Sequence, residues 1–226
     1  IYFGAMLIAI VLNINLVIPA FSLIITDAFS GTAIAGGTFF GVLIYGVRRG
    51  AFSNEAGMGT ESLVHGVAKV SNPVKQGLVA MTGPIFDTLI ICTATALMIL
   101  ISGVWETSAS QGVTLTAEAF SSLLGSFGGF VLFACVICFG LSTIFTYSYY
   151  GASCSRFLFG KLGMRFYIYL YIISIFVYSI VPIDIAINIA DGAFAMMAIP
   201  TLVSALWLAP KVMQASKNYF KIIEGR

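Results

Sequence analysis

The sequence predicts an all-α polytopic membrane protein with about six transmembrane helices, the second of which is broken. Of its 226 residues, 59% are hydrophobic and only 9% are charged, whereas a soluble domain carries about 25% charged residues. The apolar runs are continuous, and they do not alternate over about 10 residues as the strands of a membrane barrel do. A surface this poor in charge would aggregate in water, so we expect most of the chain to lie in lipid.

Six apolar segments approach the roughly 20 residues that cross a bilayer as a helix. Pro19 lies near the end of the first segment, and Pro182 separates the fifth from the sixth. The second segment contains charged and polar residues in its interior, so we predict that this helix is interrupted. The approximate segments are residues 2–25, 36–67, 77–102, 127–150, 166–181 and 183–208.

The basic residues predict an orientation in the membrane. Nine of the eleven Lys and Arg residues follow the second, fourth or sixth segment, and none follows the first, third or fifth. The positive-inside rule makes these regions cytoplasmic, including the tail of residues 211–226. The chain starts inside an apolar run without Met, which is typical of a cut. Its terminal IEGR resembles a protease-site scar from expression, and a native ending is the alternative.

The second segment contains the string VRRGAFSNEAGMGT at residues 47–60. Charges at membrane depth are expensive and usually functional, and the three glycines allow the backbone to leave helical geometry. We therefore predict two half-helices, about residues 36–50 and 57–67, joined by an unwound stretch within the membrane, as in the broken helices of secondary transporters. The alternative is a cytoplasmic loop that begins after Val47.

Several strings along the chain resemble one family. GVRRGAFSNEAGMGT closely resembles the signature of the alanine or glycine:cation symporter family, and QGLVAMTGPIFDTLIICTATALMILISGVW, LSTIFTYSYYG and DGAFAMMAIP resemble its later helices. The resemblance covers nearly the whole chain but only the later half of a typical member. It implies a leucine-transporter-type fold with two inverted five-helix repeats. Residues 1–30 would then be the last helix of the first repeat, and residues 31–210 the second repeat.

The resemblance implies sodium-coupled symport of small neutral amino acids, alanine or glycine, by alternating access, and no enzymatic activity. It implies a sodium site formed by the hydroxyls of Ser142 and Thr143 and the carbonyl of Phe139. Carbonyls of the first repeat's broken helix would complete that site. The residues expected to bind the substrate are Phe52, Ser53, Asn54, Ala56, Gly57, Thr143 and Tyr147.

Some of these residues have a second interpretation. Hydroxyls such as those of Ser142 and Thr143 commonly bond to carbonyls of their own helix. Asn54 either contacts the ligand or caps the second half-helix through the amide of Ala56 or Gly57. Many members of the family carry Trp at the position of Tyr147, and the smaller ring here leaves the preferred substrate open.

Three further acidic residues have alternative interpretations. Asp87 is either a proton or cation relay or a partner for Arg48 or Arg49, and we expect the pairing because an isolated charge there would be too costly. Asp184 and Asp191 are either carboxylates at the start of the last helix or parts of an external gate.

The expected partners are a small neutral amino acid, Na⁺ as the coupling ion, membrane lipid and the N-terminal half of the same transporter, with no nucleic acid. The expected location is the cell membrane. Two other functions are considered. One is proton-coupled transport by the same fold, which the sodium dependence of uptake would separate. The other is a channel or non-transporting membrane subunit, which is disfavoured because the chain shows no repeated filter segments.

Overall fold

The computed structural model describes residues 1–29 and 38–224. Within these ranges the chain is helical and contains no β-strand, which confirms the all-α prediction. The predicted start of the second helix, at Gly36, lies outside the described residues, as do the last two residues of the terminal IEGR.

A π-helical segment, Ile85–Cys92, interrupts the third predicted helix. It begins directly after Pro84, which has no amide hydrogen to donate to the preceding turn, and a widened turn is one way in which a helix accommodates such a loss. The helices in chain order are α1 Tyr2–Leu12, α2 Ile14–Ala28, α3 Thr38–Asn54, α4 Thr60–His65, α5 Pro73–Pro84, α6 Thr93–Ser102, α7 Val104–Thr107, α8 Val113–Ile180 and α9 Ile183–Glu224.

The first predicted helix is not continuous, which corrects that prediction. Helices α1 and α2 meet at Asn13 and are bent by 97° relative to each other. The Nδ2 of Asn13 donates a hydrogen bond of 2.9 Å to the carbonyl of Ala9, so the side chain satisfies a carbonyl near the end of α1. The sequence does not predict the bend, because Asn13 lies within a run of apolar residues and Pro19 is accommodated inside α2.

Helix α8 joins the fourth and fifth predicted helices into one helical stretch of 68 residues. Residues 151–165 were expected to form a connection, but they are helical. The backbone of α8 departs from ideal helical angles at Gly125 and Gly160, whose φ angles are 66° and 71°. Only glycine adopts these left-handed angles readily.

Three helical stretches among the described residues are long and apolar enough to cross a membrane: Pro73–Ser102, Val113–Ile180 and Ile183–Ile223. The bent pair of α1 and α2 is a fourth if it counts as one span. Helix α8 has 68 residues, and a single crossing needs only about 20, so it is long enough for more than one crossing. The count of six and the inverted-repeat assignment therefore stay predictions.

The chain forms two compact units. Unit 1 comprises Ile1–Arg48 and Ile85–Ile144, and unit 2 comprises Arg49–Pro84 and Phe145–Arg226. Unit 1 has a core rich in alanine, and such small residues let membrane helices approach closely. One cluster of its buried side chains comprises Ala5, Met6, Ala9, Ala94, Met98, Ala119, Phe120, Val131, Leu132 and Cys135, and a second comprises Ala20, Leu97 and Ile101.

Unit 2 buries fewer side chains, and its buried residues include Met58, Thr60 and Tyr150. Many large apolar side chains in both units are exposed, and Phe157, at 90% exposure, is one of them. Apolar surface of this extent marks contact with lipid or with other protein, so the exposure agrees with the composition.

We expect Phe120→Ala to destabilise unit 1. Phe120 is fully buried and stacks on the ring of Tyr2 with 5.5 Å between centroids, so its truncation leaves a cavity that costs about 3–5 kcal/mol. Thermal unfolding of the purified protein in detergent measures the loss. Phe157→Ala is the matched control because that ring is exposed, and equal melting temperatures for the two variants would contradict the assigned core.

Candidate functional site

The second predicted helix is broken, as the sequence predicts, but the break comes later than expected. Helix α3 continues through Asn54, residues 55–59 are non-helical, and α4 begins at Thr60. Gly50, the predicted end of the first half-helix, stays helical, because glycine permits a break without requiring one. The predicted ligands at residues 52–54 therefore belong to the last turn of a helix, which corrects their assignment to unwound chain.

The backbone of the break explains why the helix stops. Glu55, Gly57 and Gly59 have φ angles of 55°, 79° and 89°, all in the left-handed region that an α-helix excludes. A Cβ atom on Gly59 would lie 2.8 Å from Oγ1 of Thr201, so the break packs closely on α9. Glu55 adopts this conformation although it has a side chain, and such strained residues cluster at functional sites.

Asn54 shapes the turn that follows α3. Its Oδ1 accepts a hydrogen bond of 2.9 Å from the amide of Ala56. This amide is one of the two that the capping interpretation of Asn54 names. The second half-helix, however, has Gly59 as its N-cap, so Asn54 stabilises the end of α3 and does not cap α4. A ligand role for Asn54 stays a prediction.

Helix α3 packs along α9 through two successive contacts. The Nη2 of Arg49 donates to Oδ2 of Asp191 at 2.8 Å. Three residues further along each helix, the ring of Phe52 packs edge-to-face on that of Phe194, with 5.0 Å between centroids. Both contacts advance in the same direction, so α3 and α9 run parallel here. We call these four residues the α3–α9 seam.

The ion pair gives Asp191 a definite role. Its side chain is 10% exposed, and that of Arg49 is 31% exposed, and charges in such surroundings need a partner. Asp191 lies well inside α9, which begins at Ile183, so its interpretation as a carboxylate at the helix start is wrong. A pairing of Asp87 with Arg48 or Arg49 stays a prediction.

Helix α8 contributes Tyr147 to the same region. The hydroxyl of Tyr147 donates to Oε1 of Glu55 at 2.6 Å. Its ring lies 6.5 Å from that of Phe194 and 5.6 Å from that of Tyr150, measured between centroids. Phe52 and Tyr147, both predicted to contact the substrate, are therefore joined through Phe194, and the four rings form an aromatic cluster beside the helix break.

Sequence reasoning missed the contacts of Glu55 and Phe194 and the burial of Thr60. Thr60 is 2% exposed, and its Oγ1 has no hydrogen-bond partner among the described residues. Glu55 lies in the charged string at residues 47–60, and Phe194 lies in DGAFAMMAIP, which resembles a helix of the family. The partner of Glu55 is 92 residues away in sequence, and no local pattern indicates such a meeting.

The other predicted site residues lie on or near exposed surfaces. Ser53, Ala56 and Gly57 are exposed at the end of α3 and in the break. The three predicted sodium ligands, Phe139, Ser142 and Thr143, lie in the unit 1 part of α8, and their side chains are exposed. The helix keeps the spacing on which that prediction depends, and the ion site itself stays a prediction.

An apolar helical chain with a helix broken beside charged and aromatic side chains is typical of one class, the multi-pass membrane transporters with a discontinuous helix. Residues 1–225 match the sequence model of the sodium:alanine symporter family. The chain belongs to this family, which consists of transporters and not of enzymes.

Several curated proteins are similar to this chain. The sodium/alanine symporter AgcS of Methanococcus maripaludis is 35% identical over 224 residues, which cover 98% of this chain and 49% of that protein. The probable sodium/glutamine symporter GlnT of Bacillus subtilis is 34% identical, covering 96% and 46%. The putative sodium/proton-dependent alanine carrier protein YrbD of Bacillus subtilis is 32% identical, covering 94% and 48%. The chain spans about half the length of the curated relatives it matches.

We expect Gly59→Ala to destabilise the protein. The new methyl group would meet Oγ1 of Thr201, and a left-handed conformation at a residue with a side chain adds roughly 1–2 kcal/mol. The matched control is Gly46→Ala in α3, where a Cβ meets nothing within 4 Å and alanine improves helix propensity. Thermal unfolding in detergent compares the two, and a melting temperature for Gly59→Ala at or above that of the control would contradict the described break.

Proposed function

We propose that the complete protein carries out sodium-coupled symport of small neutral amino acids, alanine or glycine, across the cell membrane by alternating access. Membership of the sodium:alanine symporter family supports the reaction class. The observation that carries the proposal is the helix break at residues 55–59, which lies beside the ion pair of the seam and the aromatic cluster. Breaks of this kind form midplane substrate sites in secondary transporters.

The break supplies the polar groups that an amino acid requires. The last four carbonyls of α3 lack partners within the helix, and these partial negative charges favour the substrate's ammonium group. The amides of Gly57 and Gly59 lie in backbone that has left helical geometry, so they are candidates to bind the substrate's carboxylate. Ser53 and Ala56, beside them, are small enough to leave room for it.

The aromatic residues would limit the size of the substrate. Phe52 and Tyr147 both contact Phe194. Large rings that pack on one another cannot easily move aside to admit a bulky substrate side chain. A methyl group or a hydrogen atom fits such a wall, which favours alanine and glycine. In this proposal Asn54 holds the turn of the backbone, and a substrate contact by Thr143 stays a prediction.

Sodium is the proposed coupling ion. A hard cation prefers oxygen ligands, and Phe139, Ser142 and Thr143 offer a carbonyl and two hydroxyls within one helical turn. The N-terminal half of the complete protein would supply the remaining ligands, since the matched relatives are about twice as long as this chain. Most of the basic residues follow the second, fourth and sixth apolar segments, which supports a cytoplasmic C-terminus.

Proton coupling is the second candidate. The observation that favours it is the similarity to YrbD, whose name describes a sodium/proton-dependent alanine carrier. Uptake of alanine into proteoliposomes separates the two candidates. A sodium gradient without a pH gradient drives uptake if sodium is the coupling ion, and a pH gradient alone drives it if the proton is.

We expect Thr143→Ala in the complete protein to raise the sodium concentration for half-maximal alanine uptake by about tenfold, because a lost oxygen ligand is worth about 1.4 kcal/mol or more. Ser148→Ala is the matched control, since it removes a hydroxyl from α8 outside the predicted ligand set. Both variants should melt at similar temperatures. An unchanged sodium dependence in Thr143→Ala would remove this residue from the sodium site.

A further inference from the structure

Glu55 carries a charge that the described part of the chain does not neutralise. Its side chain has one polar partner there, the hydroxyl of Tyr147, and no Lys, Arg or His nitrogen lies within ion-pair distance of it. The nearby Arg49 forms its ion pair with Asp191 instead. A carboxylate has about four acceptor positions, so one hydrogen bond leaves most of the capacity of Glu55 for another group.

The surroundings of Glu55 favour an organic cation as that group. Tyr147, whose hydroxyl donates to this carboxylate, belongs to the aromatic cluster, and its ring lies 6.5 Å from that of Phe194. The faces of aromatic rings attract ammonium groups. Sodium prefers a shell of oxygen atoms, and an aromatic wall provides few of them.

The position of Glu55 in the break is also fixed. Its φ of 55° is strained for a residue with a side chain, and such strain persists only where the surrounding structure imposes it. Its carbonyl accepts the amide of Met58 at 3.1 Å, and its carboxylate accepts the Tyr147 hydroxyl. These two contacts hold the backbone and the side chain at the same time.

We propose that the Glu55 carboxylate binds the ammonium group of the amino-acid substrate, and that Tyr147 is a positioning residue that orients this carboxylate. The inference rests on the proposed function and adds a specific ion pair to it. The substrate's ammonium group is then the counterion of Glu55, and it displaces no cationic side chain of the described residues when it binds.

The test uses the complete protein, purified in detergent, and two binding measurements. One is the dissociation constant of alanine at saturating sodium, and the other is the sodium concentration for half-maximal binding at saturating alanine. Lactate, in which a hydroxyl replaces the ammonium group, competes with alanine in a third measurement. The variants are Glu55→Gln, Tyr147→Phe and Tyr147→Trp, with Tyr149→Phe as the control because Tyr149 is on the same helix and exposed.

Glu55→Gln should weaken alanine binding by about tenfold or more, because it removes a charge-assisted contact. It should also reduce the preference for alanine over lactate and leave the sodium midpoint unchanged. Tyr147→Phe should weaken alanine binding by a smaller factor, and Tyr147→Trp should restore it, since the indole N–H is a donor. The control should bind alanine like the wild-type protein.

Three outcomes would overturn the inference. A shift of the sodium midpoint in Glu55→Gln with unchanged alanine affinity would assign the carboxylate to the ion. Unchanged values for both would make Glu55 structural. Loss of alanine affinity with the preference over lactate intact would mean that the carboxylate does not contact the ammonium group. A wild-type protein that binds no small neutral amino acid in sodium would contradict the proposed function itself, which keeps the two failures distinct.

Discussion

An arginine in an apolar helix is tolerated where a countercharge meets it, and the ion pair of Arg49 with Asp191 meets that need in unit 2. The pair fixes the register of α3 on α9, because it brings Phe52 onto Phe194 three residues further along both helices. With this register set, the glycines that follow α3 lie against α9, where a side chain on Gly59 would collide.

The break then follows from backbone chemistry. Once α3 ends at Asn54, its carbonyls and the amides of residues 55–59 need partners outside the helix. Asn54 satisfies one amide through its own side chain, and the hydroxyl of Tyr147 satisfies part of Glu55. The proposed substrate carries both an ammonium and a carboxylate group, which would bind the remaining carbonyls and amides. The need for backbone partners therefore explains both the local structure and the proposed binding.

The sequence predicts the all-helical class and the broken second helix because both depend on local composition, an excess of apolar residues in one case and the string at residues 47–60 in the other. It does not predict the bend at Asn13, since one asparagine in an apolar run carries no periodic signal. Family resemblance leads us to expect Phe52 and Tyr147 at the substrate site, and this assignment stays a prediction. The sequence misses Glu55 and Phe194 because their contacts join residues that are far apart in sequence.

The ion pair of Arg49 and Asp191 couples α3 to α9, and a double-mutant cycle tests this coupling most directly. The free energy of unfolding is measured for Arg49→Met, Asp191→Leu and the double variant. Each single change leaves one charge without its partner, whereas the double change replaces the pair by apolar side chains. The account predicts a coupling energy of about 1–3 kcal/mol, with the double variant more stable than the sum of the single losses implies. Losses that add within about 0.5 kcal/mol would contradict it.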